Sequence, residues 1–534
     1  MPADSARFSR ADVAVALAII LLTFTAYLPA LSAGYVWDDP HYVTENPTLR
    51  STEGLGQIWL EPRSLPQYYP LVHTTFWAEY HLWGLHPAGY HIDNILLHAL
   101  NATMLWLLLR KLQIPGALLA ATIFAVHPVH VESVAWITER KNVLSLFFYL
   151  AAMHAYFAKP ESRFNILAFL LFVAAMFSKT VACSWPAAVL LIAWWKNGRL
   201  TRRDVFPTIP FFVFGFFLAL WTAILEKQHV GATGPEWDLG FTARILVAGR
   251  ALWFYASKLI WPVDLMFIYP RWTIDVHDVM QWIYPIAALM VILTLLLKSP
   301  RLGRGSSVCV LFFIGTLVPA LGFFDVYPMR YSFVADHFQY AASIGLIVLL
   351  AAAIARLSNL KFSIFNFQFS ILLPLIILTF QQTRNYKDAE TLWRATLDKN
   401  PKSWMAHTNL GHALVEQKRY TEAMTEYRLG AQLGKDQAEA HHTLANGLAA
   451  EQNFDEAFKE FSRAIECDPN YAPSYYERGR LNLRKNNPDA AEADFRKAIE
   501  IHPDFPAAHG KLAEILYRKG QLNEAKHHYD LSQP

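Results

Sequence analysis

The segment LGHALVEQKRYTEAMTEY at residues 410–427 returns 34 residues later as LANGLAAEQNFDEAFKEF at residues 444–461. The same spacing produces a column of small residues and a column of aromatic residues further along the chain. The columns are Ala423, Ala457, Ala491 and Ala525, and Tyr427, Phe461, Phe495 and Tyr529. Small residues let the two helices of a hairpin cross closely, and the aromatic rings fill the space between hairpins. The pattern therefore predicts a stack of helical hairpins.

A period of 34 residues is that of the tetratricopeptide repeat. Ala389, Trp393 and Pro401 fit the second helix of the same template, so a half repeat comes before about four complete repeats. We therefore predict a tetratricopeptide-repeat solenoid over residues 384–534.

Repeat solenoids present a concave groove that binds a partner, here a protein or peptide. Three polar residues occupy one equivalent position on successive first helices. These candidate groove residues are His412, Asn446 and Arg480. The alternative is that they are ordinary solvated positions, because any exposed helix face is polar.

Toward the amino terminus the composition changes. The whole chain has 54% hydrophobic and only 17% charged residues, and its long apolar runs all lie before about Gln381. About 20 apolar residues cross a bilayer as a helix. We predict an all-α fold with about eleven spans in residues 1–383. The predicted spans are 12–33, 90–109, 115–131, 142–158, 163–178, 181–196, 208–225, 282–297, 307–324, 337–356 and 362–381.

One further apolar segment, 242–261, contains Arg244, Arg250 and Lys258 at intervals that suit an amphipathic helix on the outer surface. With that assignment, the basic clusters of the short loops all lie on one side, which the positive-inside rule makes cytoplasmic. The clusters are Arg7 and Arg10, Arg110 and Lys111, Lys159 and Arg163, Lys196 to Arg203, Lys298 to Arg304, and Arg356 and Lys361. The repeats then follow the last span on the outer side, without a flexible linker.

Two adjacent carboxylates, Asp38 and Asp39, follow the first predicted span. Neighbouring carboxylates repel each other, so one has a raised pKa that suits proton abstraction. They could also hold a divalent cation. A third interpretation is a simple turn, because Asp-Asp-Pro is good turn chemistry.

Further charged residues gather at the predicted outer boundary. The candidate substrate-binding residues are Glu132, Glu139, Arg140, Lys179, Arg330 and His337. Ionisable groups at a membrane boundary are functional candidates, and basic groups on the outer side suggest an anionic ligand such as a lipid phosphate. The alternative for Arg140 and Lys179 is an ion pair with Glu132 or Glu139.

These features together resemble a known family, the transmembrane and tetratricopeptide-repeat O-mannosyltransferases of the GT-C class. The resemblance rests on the acidic pair, the repeats and several short motifs. The motifs are HPVHVESV at 127–134, ERKN at 139–142, SKT at 178–180, WPV at 261–263, ADHFQYAAS at 335–343 and RNYKDAETLW at 384–393. The family often has Gly-Arg-acid where this chain has ERKN, and arginine where this chain has His337.

The resemblance implies transfer of mannose or another hexose from a polyprenyl-phosphate donor to a protein or glycan hydroxyl outside the cytoplasm, with inversion. It implies that Asp38 or Asp39 is the base and that Glu132 and Glu139 orient acceptor or sugar. It also implies that Arg140, Lys179 and His337 neutralise the leaving phosphate.

Two other functions fit parts of the sequence. A non-enzymatic scaffold would use the repeats to recruit envelope proteins, and a transporter would move a lipid-linked glycan. The transporter is disfavoured because the charged residues gather at one face and not near the bilayer midplane. We expect a bacterial inner membrane with external repeats, or an endoplasmic reticulum membrane with luminal repeats in a eukaryote. No nucleic-acid partner is expected.

Overall fold

The structure is a computed structural model in which residues 9–158, 165–227, 237–358 and 364–533 are described. Within these ranges all regular secondary structure is helical, which confirms the predicted all-α class. The chain divides between Leu392 and Trp393 into two compact units. The boundary predicted after residue 383 lies before the observed one. The reason is that the segment directly after residue 383 packs on the first unit. Tyr386 is buried against Phe267, and the backbone N–H of Gly34 donates to the carbonyl of Lys387.

The first unit contains most of the long apolar helices. In chain order these are α1 Arg10–Ala26, α2 Thr52–Leu60, α3 Pro70–Trp83, α4 Pro87–Lys111, α5 Ala117–Ala125, α6 Val131–Ala135, α7 Arg140–Ala158, α8 Ile166–Ser178, α9 Trp185–Asn197, α10 Arg202–Val205, α11 Ile209–Leu225, α12 Phe241–Ile260, α13 Val279–Leu302, α14 Gly305–Leu317, α15 Ser343–Ser358 and α16 Ile364–Arg384.

Three helical stretches within the described residues are long and apolar enough to cross a membrane. They are Pro87–Lys111, Arg202–Leu225 and Val279–Arg301. A fourth crossing is formed if Ala117–Ala125 and Pro128–Ala135, which meet at a bend of 52°, count as one broken span. The predicted count of eleven spans is therefore not confirmed.

Proline and charged residues explain why the other apolar runs give shorter helices. The predicted span 115–131 bends at Pro128, and the helix Ile166–Ser178 ends at Lys179, whose charge faces a polar cluster. Hydropathy counts apolar residues across such breaks, whereas a helix must be continuous to cross as one segment. Four of the basic residues used for orientation lie outside the described residues: Arg7, Lys159, Arg163 and Lys361.

Helix α12, predicted to lie on the outer surface, is amphipathic, and its cations are held by neighbouring groups. Arg244 pairs with Asp325 at 2.7 Å, and the Lys258 ammonium donates to the carbonyl of Val263 at 2.7 Å. Its surface position remains a prediction.

The second unit is the predicted solenoid. Its helices are α17 Ala389–Lys399, which contains the division, α18 Trp404–Glu416, α19 Tyr420–Leu433, α20 Ala438–Ala450, α21 Phe454–Cys467, α22 Ala472–Arg484, α23 Pro488–Ile501, α24 Pro506–Arg518 and α25 Leu522–Ser532. The four alanines of the small-residue column are buried, as are Tyr427, Phe461 and Phe495. Tyr529, in the last helix, is exposed.

The close crossing of α18 and α19 leads to a stability prediction. A Cβ atom on Gly411 would stand 2.4 Å from the Cε1 atom of Tyr427. Gly411→Ala should therefore lower the free energy of unfolding by about 1–3 kcal/mol, because the packed ring must move. Thermal unfolding of the detergent-purified chain, followed by helical circular dichroism, measures this change.

Gly510→Ala in α24 is the matched control. Its nearest neighbour would be the Cβ atom of Ser532 at 3.5 Å, an ordinary contact. Alanine should stabilise that helix by about 0.5–1 kcal/mol. Equal effects of the two substitutions would contradict the close crossing.

Candidate active site

The loop after α1 carries the acidic pair, and Asp39 anchors it. The buried Asp39 carboxylate accepts hydrogen bonds from the backbone N–H of Val36 at 2.9 Å, the N–H of Thr138 at 2.8 Å and the Thr138 hydroxyl at 2.6 Å. The adjoining Trp37 has a φ of 53°, an unfavourable value for a bulky residue. Asp39 thus holds a strained loop against the residues around Thr138.

Asp38 is partly exposed and has a different environment. Its Oδ1 accepts a hydrogen bond from the indole N–H of Trp136 at 3.1 Å. Its backbone carbonyl also accepts from the N–H groups of His41 and Tyr42, which begins the short helical turn Pro40–Thr44. The turn chemistry predicted from Asp-Asp-Pro is therefore present beside a carboxylate that solvent can reach.

Burial shifts the proton affinity of both acids. Desolvation raises the pKa of Asp38 to about 6 even though Lys141 opposes the rise. Desolvation, with the negative charge of Asp38 added, raises the pKa of Asp39 to about 7. The pair therefore titrates near neutrality, as a general base requires.

A buried carboxylate, Glu139, is surrounded by basic residues from three parts of the chain. Its oxygens lie 2.9 Å from the Lys141 ammonium, 3.2 Å from the Lys179 ammonium and 3.9 Å from Nε2 of His337. The amide of Asn142 also donates to it. Burial alone would raise the pKa of Glu139, but these cations together hold it well below its ordinary value.

Glu132 fixes the imidazole of His337. Its carboxylate lies 3.0 Å from His337 Nδ1 and accepts the His337 backbone N–H at 3.0 Å. The structure thus brings together four of the predicted substrate-binding residues, Glu132, Glu139, Lys179 and His337. Lys179 makes the ion pair with Glu139, and its binding of an anionic ligand remains a prediction.

Trp136 connects the acidic pair to the cations. While its indole N–H donates to Asp38, its ring lies 5.7 Å from the Lys141 ammonium and makes an edge contact with the His337 ring at 5.7 Å between centroids. Asp38, Lys141 and His337 are therefore grouped around one indole ring.

A series of hydrogen bonds connects Lys141 to Gln67 and Glu226. The Lys141 ammonium donates to the Gln67 side chain at 3.3 Å, which also accepts the Tyr42 hydroxyl at 3.0 Å. The amide of Gln67 donates in turn to Glu226 at 3.3 Å. Lys141, Gln67 and Glu226 are site residues that the sequence analysis did not select.

Arg330 lies at the far end of this chain of contacts. Glu226 accepts the backbone N–H of Tyr327 at 3.3 Å, and the Tyr327 hydroxyl accepts from Arg330 at 3.2 Å. The Arg330 guanidinium also lies over the Tyr331 ring, 5.2 Å from its centre. Arg330 is therefore joined to the cluster through Tyr327 and Glu226.

Arg140 is placed apart from the cluster, which corrects its predicted role. Its buried guanidinium donates to Glu79, to Asn94 and to the carbonyl of Tyr90 at 2.9 Å. Neither Glu132 nor Glu139 is its partner. Successive residues of a helix point about 100° apart, so α7 directs Lys141 toward Glu139 and Arg140 away from it.

Binding of a metal ion by Asp38 and Asp39, the second predicted role of the pair, would need further protein ligands. In the part of the chain that the structure describes, no group of three or more His, Cys, Asp or Glu side chains is placed to hold a metal ion. A divalent cation at the acidic pair would need ligands from substrate or water.

The three predicted groove residues of the solenoid are all exposed on α18, α20 and α22. His412 is hydrogen-bonded to the hydroxyl of Tyr427 at 3.0 Å. Asn446 is hydrogen-bonded to His442 at 3.0 Å, and Arg480 pairs with Glu477 at 2.8 Å. Partner binding by these residues remains a prediction.

Comparison with known proteins supports both units. Tetratricopeptide repeat family models match residues 376–438, 438–471, 460–493 and 482–531. Two solved structures match part of the chain. They are "Crystal structure of MamA", with 21% identity, a TM-score of 0.25 and coverage of 28% of this chain and 88% of that one, and "Functional Characterization of Pseudomonas Aeruginosa pilF", with 22% identity, a TM-score of 0.26 and coverage of 30% and 72%.

The chain is thus a helical protein with helices long and apolar enough to cross a membrane and a carboxyl-terminal tetratricopeptide-repeat solenoid. Its similarity to the protein O-mannosyl-transferase family with transmembrane and tetratricopeptide-repeat segments, predicted from the sequence, is confirmed. Relatives include "Protein O-mannosyl-transferase F38B6.6" of Caenorhabditis elegans, 24% identical over 74% of this chain and 59% of the relative, and "Protein O-mannosyl-transferase TMTC3" of Homo sapiens, 24% identical over 75% and 49%. "Protein O-mannosyl-transferase Tmtc1" of Drosophila melanogaster is 32% identical over 34% of this chain and 23% of its own length. The chain therefore spans less than two thirds of these relatives.

The Arg140–Glu79 pair leads to a second stability prediction. Arg140→Met leaves the Glu79 carboxylate buried without its cation, which should cost about 3–5 kcal/mol of the free energy of unfolding. The double variant Arg140→Met with Glu79→Leu should be much closer to the parent, because no uncompensated charge remains. Thermal unfolding of the parent, of Arg140→Met, of Glu79→Leu and of the double variant measures the coupling.

Arg480→Met is the control, since the exposed Arg480–Glu477 pair should contribute about 0–1 kcal/mol. A double variant as unstable as Arg140→Met alone would show that Arg140 has a role beyond neutralising Glu79.

Proposed function

We propose that this chain is a membrane glycosyltransferase of the GT-C class. It would transfer mannose or another hexose from a polyprenyl-phosphate donor to a hydroxyl of a protein or glycan, outside the cytoplasm and with inversion at the anomeric carbon. The observation that carries the proposal is the partly exposed Asp38 carboxylate, which accepts a hydrogen bond from the same indole ring that lies beside the Lys141 ammonium. The names of the relatives support the sugar and the reaction type.

Asp38 is the better candidate for the base. Three hydrogen bonds from Val36 and Thr138 already fix the buried Asp39, whereas Asp38 is partly exposed. In the reaction Asp38 would take the proton of the acceptor hydroxyl as its oxygen attacks the anomeric carbon. The bond from that carbon to the phosphate oxygen breaks, and its electron pair leaves with the lipid phosphate. Asp39 would act as a positioning residue.

Lys141 and Lys179 are the proposed phosphate-binding residues, with His337 beside them. Negative charge develops on the phosphate as the sugar departs, and pre-positioned cations stabilise it most in a site that excludes water. Glu139 would keep these three basic residues together before the donor binds, since all lie within 4 Å of its carboxylate. Lys141 replaces Arg140, whose guanidinium is committed to Glu79.

The solenoid is the proposed acceptor-binding part. Tetratricopeptide repeats present polar groove residues to peptides, and His412, Asn446 and Arg480 are exposed on successive first helices. The proposal places the chain as a multi-pass protein of a bacterial inner membrane with external repeats, or of the endoplasmic reticulum with luminal repeats.

Asp38→Asn tests the assignment of the base. The amide cannot accept the proton, so transfer from a synthetic polyprenyl-phosphate mannose to acceptor peptide should fall by about 10²–10⁴-fold. The assay uses purified protein supplied with lipid, and mass spectrometry of the peptide measures the transfer.

Glu45→Gln is the matched control. Glu45 is an exposed acid in the same loop whose partner is His41 at 3.0 Å, and its replacement should leave transfer unchanged. Full activity of Asp38→Asn would exclude this base and would favour a scaffold, which tolerates the change.

The pH dependence of transfer gives a further prediction. Below about pH 6–7, activity should fall tenfold for each pH unit, because the Asp38–Asp39 pair must lose a proton to act as base. Activity should also fall above about pH 8, because burial lowers the pKa of Lys179 to about 8 and its charge is then lost.

Lys179→Arg distinguishes the two limbs of the profile. Arginine stays charged at every accessible pH, so this variant should keep the acid limb and lose the alkaline one. An alkaline limb that is unchanged in Lys179→Arg would remove Lys179 from the phosphate-binding role.

A further inference from the structure

An apolar cavity lies between five helices of the first unit, α4, α7, α9, α14 and α15. Its volume is about 280 Å³, and leucine, isoleucine, valine, alanine and methionine side chains form most of its wall. Leu105, Leu150, Leu191 and Val348 represent four of the helices. None of the residues around Glu139 lines it.

Two arginines, Arg304 and Arg356, line the same cavity, together with Trp195. Over the ranges that the structure describes, neither guanidinium makes a hydrogen bond or an ion pair. The Arg304 guanidinium lies against Gly198, where a Cβ atom would stand 2.8 Å from its Nη1. The structure thus leaves two cations beside an apolar space without an anion.

The arginines lie far from the proposed phosphate-binding lysines. Helix α15 begins at Ser343, close after His337, and Arg356 lies thirteen residues further along it. A rise of 1.5 Å per residue places Arg356 about 20 Å from the start of that helix. Arg356 and the residues around Glu139 are therefore at opposite ends of α15, and Arg304 lines the same cavity as Arg356.

We propose that this cavity binds one acyl chain of an anionic phospholipid, whose phosphate lies between Arg304 and Arg356. The apolar wall suits the chain, and the two guanidiniums suit the phosphate, which they can bind through paired N–H groups. Trp195 is the kind of residue that lies at the level of lipid head groups. The inference does not depend on the proposed transfer reaction.

A phospholipid fits better than the polyprenyl donor. The phosphate of that donor belongs beside the reacting sugar, and the candidate base Asp38 lies with the Glu139 cluster, at the other end of α15. These arginines also belong to the basic clusters that the positive-inside rule assigns to the cytoplasmic face, where anionic phospholipids concentrate.

Native mass spectrometry of the full-length protein tests the proposal. The protein is released from vesicles that contain equal amounts of phosphatidylcholine and phosphatidylglycerol, and the retained lipid is identified. The parent should retain phosphatidylglycerol preferentially. Arg304→Gln with Arg356→Gln should reduce that retention about 30-fold, since each cation near an anionic lipid contributes about 1 kcal/mol.

Arg203→Gln with Arg301→Gln is the control, because these exposed arginines belong to the same basic clusters and do not line the cavity. It should retain lipid as the parent does. Ala352→Phe provides a second test that keeps both arginines but fills the cavity, and it should also lose the lipid.

Three results would overturn the proposal. The first is equal retention of the two lipids by the parent. The second is undiminished retention by both the arginine double variant and Ala352→Phe. The third is displacement of phosphatidylglycerol by an equal amount of a polyprenyl phosphate, which would show that the cavity binds the donor or its product.

Discussion

The charge of Glu139 has to be neutralised in an interior that water barely reaches, and much of the first unit is arranged around that requirement. An unpaired buried carboxylate costs several kcal/mol, so a fold that keeps one must supply cations with good geometry. Here Lys141, Lys179 and His337 come from three separate segments of the chain. Neutralising one carboxylate therefore joins the start of α7, the break between α8 and α9, and the segment before α15.

The same cluster explains how adjacent acids can differ in behaviour. Asp39 accepts three hydrogen bonds and holds the loop, while Asp38 accepts one from Trp136 and remains partly exposed. Burial raises the pKa of both, and Lys141 limits the rise for Asp38. A carboxylate poised near neutrality beside a group of cations is suited to removing a proton while negative charge develops nearby.

Two buried basic residues of the ERKN motif have different partners. The Arg140 guanidinium binds Glu79 and the carbonyl of Tyr90, whereas the Lys141 ammonium contacts Glu139 in the candidate site. An arginine can satisfy several fixed acceptors at once through its planar fork, which suits a structural position. A lysine ammonium is a compact charge that can shift between Glu139, Gln67 and an incoming anion.

The sequence by itself determined the repeat solenoid, because a period of 34 residues needs only local helix packing to be interpreted. It also selected Asp38, Asp39, Glu132, Glu139, Lys179 and His337, since charged residues are rare in apolar surroundings. Tertiary structure alone decided which charges meet. The direction of α7 sets Lys141 and not Arg140 toward Glu139, and the partners Glu79, Gln67 and Glu226 are distant in sequence. It also decided where apolar runs break, because a helix ends where a proline or a paired charge interrupts it, and composition averages over such positions.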